Sequence, residues 1–176
     1  NEYTFPEEKK FTDINYAKKV ASLTLDLCIK NGTTTLASFC TTSINSVDAF
    51  FDEAKKRNMS VIAGKTCMDR NAPEYLIDSV NSAYDDSKRL IKKWHNSNRL
   101  YYAITPRFAP TSTPEQLDSL GSLWSEYPDC LMQTHLSEQK EEIEWVSNLF
   151  PESESYLDVY DKFNLVKELF KQADDT

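Results

Sequence analysis

The sequence predicts an α/β fold made of four consecutive βα units. Three observations carry that expectation. Four short β-branched or apolar segments recur at 33–40, 60–68, 99–108 and 130–136. A segment with helical apolar spacing follows each of them, a succession that calls for parallel strands joined by right-handed crossovers. The strand ends are polar and carry the chemically versatile side chains. Two architectures satisfy this pattern: a doubly wound open sheet, or a stretch of a (β/α)8 barrel. The chain has only three glycines and no glycine-rich phosphate loop, which speaks against dinucleotide binding.

The elements follow in order. Residues 12–31 read as a helix before the first strand. Ala17, Val20, Ala21, Thr24, Leu27 and Cys28 share a face, and Asn31-Gly32 supplies the stop. The segment 33–40, "TTTLASFC", is β-branched and apolar enough for a buried strand. A helix over about 46–57 turns Val47, Phe50, Phe51 and Ala54 inward. After the strand 60–68, a long helix is expected over 72–95. Pro73 suits its first turn, and Ile77, Val80, Tyr84, Ile91 and Trp94 form its stripe. The strand 99–108 leads to a helix with Thr113 as N-cap, Pro114 in the first position and Gln116 reaching back in a capping box. Leu117, Leu120 and Trp124 give its apolar face. After 130–136, a last helix places Ile143, Val146 and Phe150 inward.

The 176 residues are expected to form one domain, 1–176, with a polar, divergent tail over 166–176. The 28 acidic and 20 basic residues leave a net charge of -8, which argues against a nucleic-acid partner but not against a single base as substrate. Cys28, Cys40, Cys67 and Cys130 lie in apolar segments without metal-ligand spacing and are expected to be buried free thiols of a cytoplasmic protein. No apolar run is long enough for a membrane span, and no signal peptide is apparent. A start at Asn1 is expected to reflect processing or an upstream segment.

Each strand end has a structural and a functional reading. Asp69, Arg70 and Asn71 suit an ordinary turn. Arg107 suits an ion pair or the binding of a planar ligand. His135 suits a satisfied strand-end histidine or a metal ligand. Glu138 suits a first-turn acid facing the helix dipole or a proton carrier. His95, at a helix end, reads as a surface histidine without a role.

The segments "YTFPEEKKF", "NGTTTLASF", "MDRNAPEYL", "TPRFAPTSTPEQL", "QTHLSE", "EIEWV" and "YLDVYDKFNL" resemble, in order and over residues 3 to 165, the guanine deaminases of the amidohydrolase superfamily. The resemblance implies about strands 2–5 of a (β/α)8 barrel of TIM type. It implies a cytoplasmic, zinc-dependent hydrolase of purine catabolism that converts guanine to xanthine and ammonia, homodimeric as a complete enzyme. It further implies that His135 is a metal ligand and Glu138 the catalytic proton shuttle. Arg107 and Phe108 would bind guanine together with His135 and Glu138.

The chemistry suits these residue types. Neutral imidazole binds zinc. A carboxylate can accept the proton of water and return protons to a ring nitrogen and a departing amine. An arginine fork matches a planar purine edge. The resemblance also implies a His-x-His pair on the first barrel strand, a histidine on the sixth and an aspartate on the eighth. This chain supplies none of these, so it is expected to be inactive alone and to require the rest of the barrel or a second copy. The alternatives are a non-catalytic relative serving as a binding or assembly module, and an amidohydrolase acting on another aminopurine or pyrimidine.

Overall fold

The computed structural model describes residues 3–167. Among them are helices α1 (Thr4–Lys9), α2 (Ile14–Lys30), α3 (Ile44–Lys56), α4 (Val80–Trp94), α5 (Pro114–Glu126), α6 (Lys140–Leu149) and α7 (Tyr156–Lys162). The strands are β1 (Thr35–Phe39), β2 (Ser60–Gly64), β3 (Thr66–Cys67), β4 (Leu100–Pro106) and β5 (Leu131–Met132). All strand pairs are parallel: β1 with β2, β2 and its continuation β3 with β4, and β4 with β5. Each strand therefore lies beside its sequence neighbour. The helices pack in the same succession, α2 on α3, α3 on α4 and α4 on α5.

This order separates the two architectures, because a doubly wound sheet reverses direction at a switch point and these strands do not. Curvature separates them further. Three strand spacings of about 4.8 Å put the outer strands of a flat sheet about 14 Å apart. Here Gln133, just past β5, donates from Nε2 to the Ser38 carbonyl of β1 at 3.0 Å and to Thr105 Oγ1 of β4 at 3.1 Å. Phe39 at the end of β1 meets the His135 ring with centroids 4.7 Å apart. The sheet is curled as an arc of a barrel. Gly64 permits part of this packing, since a Cβ there would strike the Ala103 carbonyl and the Thr105 hydroxyl of β4.

Several elements differ from the sequence expectation. The buried stripe of α2 is Ala17, Ala21 and Leu25, while Thr24 and Leu27 face outward, Leu27 at 59% exposure. Apolar spacing locates a stripe but does not settle its rotation when Leu25 and Leu27 compete. The helix expected from residue 72 begins at Val80. Residues 74–76 form a single 3-10 turn, and Ser79 and Ser82 close a reciprocal capping box. Ile77 consequently lies outside the helix and is exposed. The strand 60–68 breaks at Lys65. In α5, Thr113 caps the Gln116 N–H as expected, but the box does not close. The Gln116 side chain accepts the Ser112 hydroxyl, and the Thr113 N–H goes to Asp69. In α6, Val146 and Phe150 are buried but Ile143 is exposed.

All four cysteines are free. Cys67 and Cys130 are buried, whereas Cys28 and Cys40 are half-buried against the core. Of the tail expected over 166–176, Val166 packs against the core, and Lys167 donates to the Pro128 carbonyl at 2.8 Å. The remainder of that expectation lies outside the described residues. No helix among the described residues is long and apolar enough to cross a membrane.

Candidate active site

The site forms where β4 and β5 end, the face of a parallel barrel that carries chemistry. The Arg107 carbonyl is its hinge. It accepts the His135 N–H at 3.1 Å and contacts His135 Nδ1 at 2.7 Å. A carbonyl can only accept, so Nδ1 bears the ring proton. The Nε2 lone pair is thereby left for another partner, the arrangement that orients metal-ligating histidines. Phe39 and Phe108 flank the ring, with centroids 4.7 and 6.1 Å away.

The Arg107 side chain reaches toward α1 and the end of β3. Its guanidinium lies 5.4 Å from the Phe5 ring centroid of α1 and 5.8 Å from that of Phe108, and Nη1 contacts Met68 Sδ at 3.4 Å. It makes no salt bridge among the described residues, so the ion-pair reading fails. Glu8 of α1 is a carboxylate within reach of its charge. Burial raises the Glu8 pKa above the usual glutamate range, with the Arg107 charge pulling the other way.

The loop after Met68 fastens this corner. Asp69 accepts the Thr113 N–H at 2.7 Å and also the Thr113 hydroxyl. Arg70 donates to the Ala109 carbonyl at 3.1 Å and Asn71 to the Pro110 carbonyl at 2.7 Å. These residues are more than a turn. They stitch the β3 end to the loop carrying Phe108.

Arg107, Phe108 and His135 are therefore assembled in one place. Glu138 is not joined to them by any hydrogen bond or ion pair among the described residues. It is exposed and precedes Gln139, the N-cap of α6, so the first-turn reading does not apply: the first-turn acids are Glu141 and Glu142. Between His135 and Glu138 the chain turns at Ser137, whose φ of 54° is a left-handed conformation unusual for serine. Sequence reasoning missed Phe5, Phe39, Met68 and Tyr160, the last of which donates from its hydroxyl to the His135 carbonyl. All four sit in the resembling motifs, but nothing local ties their side chains to Arg107 or His135.

His95 is also not the surface residue expected. Its side chain is 6% exposed, and its Nδ1 accepts the Tyr102 N–H at 3.1 Å. With Asp129 and Cys130 it brings potential ligand atoms within 4.8 Å of one another, the one such group among the described residues. Its hydrogen bonding is that of a structural histidine. Nδ1 spends its lone pair on Tyr102, so the proton of the neutral ring sits on Nε2, which faces Asp129 Oδ2 at 3.3 Å. Burial pushes the Cys130 thiol up to about 12, which keeps it protonated. The group lies where β4 and β5 begin, the end of a barrel associated with stability.

Known proteins resemble this chain over nearly all its length. The guanine deaminase of Escherichia coli (strain K12) is 50% identical over 165 residues, 94% of this chain and 38% of that protein. The solved E. coli guanine deaminase superposes with a TM-score of 0.91 at 49% identity, over 94% of this chain and 39% of its own. The guanine deaminase from C. acetobutylicum, solved with guanine in its active site, gives 0.88 at 41% identity, over 93% and 39%. The chain thus spans under two-fifths of the length of these relatives. The model of the amidohydrolase family matches residues 6–172, and the chain belongs to that family.

Proposed function

We propose that this chain is the central part of a guanine deaminase, a zinc-dependent cytoplasmic hydrolase that converts guanine to xanthine and ammonia. The observation that carries the reading is the bond between His135 Nδ1 and the Arg107 carbonyl. It prepares Nε2 as a ligand and ties it to the strand end that presents Arg107 and Phe108. The similarity to guanine deaminases at 50% and 41% identity supports guanine as the substrate.

In this reading His135 is one zinc ligand. A catalytic site ordinarily has three protein ligands, so the others would come from the rest of a complete barrel, in an enzyme proposed to be a homodimer. Bound zinc supplies a water pKa lowered from about 16 toward about 7. Glu138 would accept a proton from the attacking water and deliver it to the ring nitrogen beside C2, then take the remaining proton of the added hydroxyl and pass it to the departing amine, which leaves as ammonia. The Arg107 guanidinium donates to the guanine carbonyl and ring edge, and its planar fork fixes the orientation of the base. Phe108 packs on the purine and helps to exclude water. His135 and Glu138 border the same base at C2.

The test is an assay of the complete gene product containing this chain. Guanine should disappear with stoichiometric xanthine and ammonia. A chelator should abolish turnover and zinc should restore it. Turnover that survives complete metal removal, or no turnover of guanine at all, overturns the reading. Arg107→Ala should raise the KM for guanine by about tenfold, the loss of a charged hydrogen bond of about 1.5 kcal/mol, and relax the preference over other purines. An unaltered substrate profile would sink the arginine assignment.

A further inference from the structure

The Tyr160 hydroxyl spends its entire hydrogen-bonding capacity at the candidate site. It accepts the Ala109 N–H at 2.9 Å and the Thr134 hydroxyl at 3.0 Å, and it donates to the His135 carbonyl at 2.9 Å. One O–H and two lone pairs are all that a phenol offers. The residue is 1% exposed, and its ring stacks on Tyr156 with centroids 5.7 Å apart. Ala109 follows Arg107 and Phe108 past β4, whereas Thr134 and His135 follow β5. A single hydroxyl from α7 therefore joins the two strand ends that make the site.

The contact with Thr134 has a chemical consequence. Thr134 Oγ1 also lies 3.3 Å from the Arg107 carbonyl, which already holds the His135 N–H and Nδ1. A carbonyl has two lone pairs, so a third donor competes with those two. While the Thr134 proton is drawn to Tyr160, the carbonyl is left to His135. Without that acceptor, the threonine hydroxyl turns to Arg107 and weakens the bond that keeps the ring proton on Nδ1.

We infer that Tyr160 is a positioning residue: its hydroxyl keeps Thr134 off the Arg107 carbonyl, and so holds His135 in the tautomer and direction a metal ligand needs. The inference rests on the proposed function only for what the ring ligates.

The imidazole tautomer is readable by 15N NMR on the complete gene product freed of metal, with His135→Gln assigning the signal. Wild-type His135 should be predominantly the Nδ1–H form. In Tyr160→Phe the ratio should move toward Nε2–H by about tenfold, the change that one ordinary hydrogen bond makes. Tyr84→Phe is the matched control. It removes a tyrosine hydroxyl that bonds Glu126 away from the site, and it should leave the ratio unchanged.

The double variant Tyr160→Phe/Thr134→Val removes the competing donor and should restore the wild-type ratio. Should Tyr160→Phe fail to fold, Thr134→Val alone removes that donor with Tyr160 in place and should hold or raise the Nδ1–H fraction, a shift toward Nε2–H overturning the inference. A wild-type ratio in folded Tyr160→Phe, or a shifted ratio in the double variant, overturns the inference. In the complete gene product, Tyr160→Phe should lower kcat/KM for guanine by about 10–100-fold, as loss of a group supporting a metal ligand does. Failure of the wild-type protein to act on guanine would refute the proposed function, while the tautomer ratio would still decide the role of Tyr160.

Discussion

Glu138→Gln should leave the fold and metal content intact and lower guanine turnover by roughly 100-fold or more, the contribution usual for general acid–base catalysis. The structural half of this expectation follows from exposure. Glu138 makes no hydrogen bond or ion pair among the described residues, so replacing a carboxylate oxygen by an amide orphans nothing inside the protein. The catalytic half follows from what glutamine cannot do. It has the same length and still offers a hydrogen bond, but it has no basic oxygen to accept the proton of water and no proton to pass to a leaving amine.

The loss should therefore fall on kcat, with KM for guanine nearly constant. A loss confined to KM would make Glu138 a binding residue instead. Unchanged turnover would remove the proton-shuttle assignment altogether. The position of the side chain also depends on Ser137, whose left-handed backbone turns the chain between the strand end and α6. In the proposed site that turn would let His135 and Glu138 border one substrate, whereas a continued strand would point them to opposite faces.

Much of the architecture is legible because local chemistry and burial agree. In α3, the spacing of Val47, Phe50, Phe51 and Ala54 selects a face, and all four are buried. In α5, Thr113 and Pro114 mark the start to the residue. Legibility ends where a long-range contact decides. A helix over 72–95 looks continuous, yet its start moves to Val80, and the bonds of Lys65 and Asp78 across 13 residues are invisible to periodicity. The competition between Leu25 and Leu27 in α2, and the exposure of Ile143 in α6, are settled by what lies opposite each helix. His95 looks like a helix-end surface residue until β4 folds over it and Tyr102 donates to its ring.

The candidate site divides in the same way. Arg107, Phe108 and His135 stand out through motif resemblance and strand-end position. Their connection through one backbone carbonyl, and the hydroxyl of Tyr160 that protects it, require three-dimensional neighbours 25 to 28 residues apart in sequence. Curvature is likewise absent from the pattern, since four βα units suit an open sheet equally well. It becomes evident in the reach of Gln133 to Ser38 and in the contact of Phe39 with His135.

Asp78→Ala should destabilise the chain by about 3–5 kcal/mol, the usual consequence of removing one partner of a buried ion pair. Lys65 is 1% exposed at the break between β2 and β3, and its Nζ lies 2.6 Å from Asp78 Oδ2. Without that carboxylate a buried ammonium loses the ion-pair partner it has among the described residues, and its desolvation is no longer offset by a direct contact. Burial raises the Asp78 pKa above the usual aspartate range, even beside Lys65.

The pair is consequently a poor source of net stability, and the double variant Lys65→Met/Asp78→Leu should recover most of what Asp78→Ala loses. What the pair does secure is a connection. The Asp78 N–H donates to the Met68 carbonyl at 2.7 Å, and Met68 Sδ meets the Arg107 guanidinium. Between Met68 and Asp78 run Asp69, Arg70 and Asn71, which hold the loop beyond Phe108. The double variant should thus unfold in urea near the wild-type midpoint, yet show a looser 69–78 segment by amide exchange. A single Asp78→Ala variant within about 1 kcal/mol of wild type would mean that Lys65 reaches water or another acceptor, and the pegging role would fall with the energetic one.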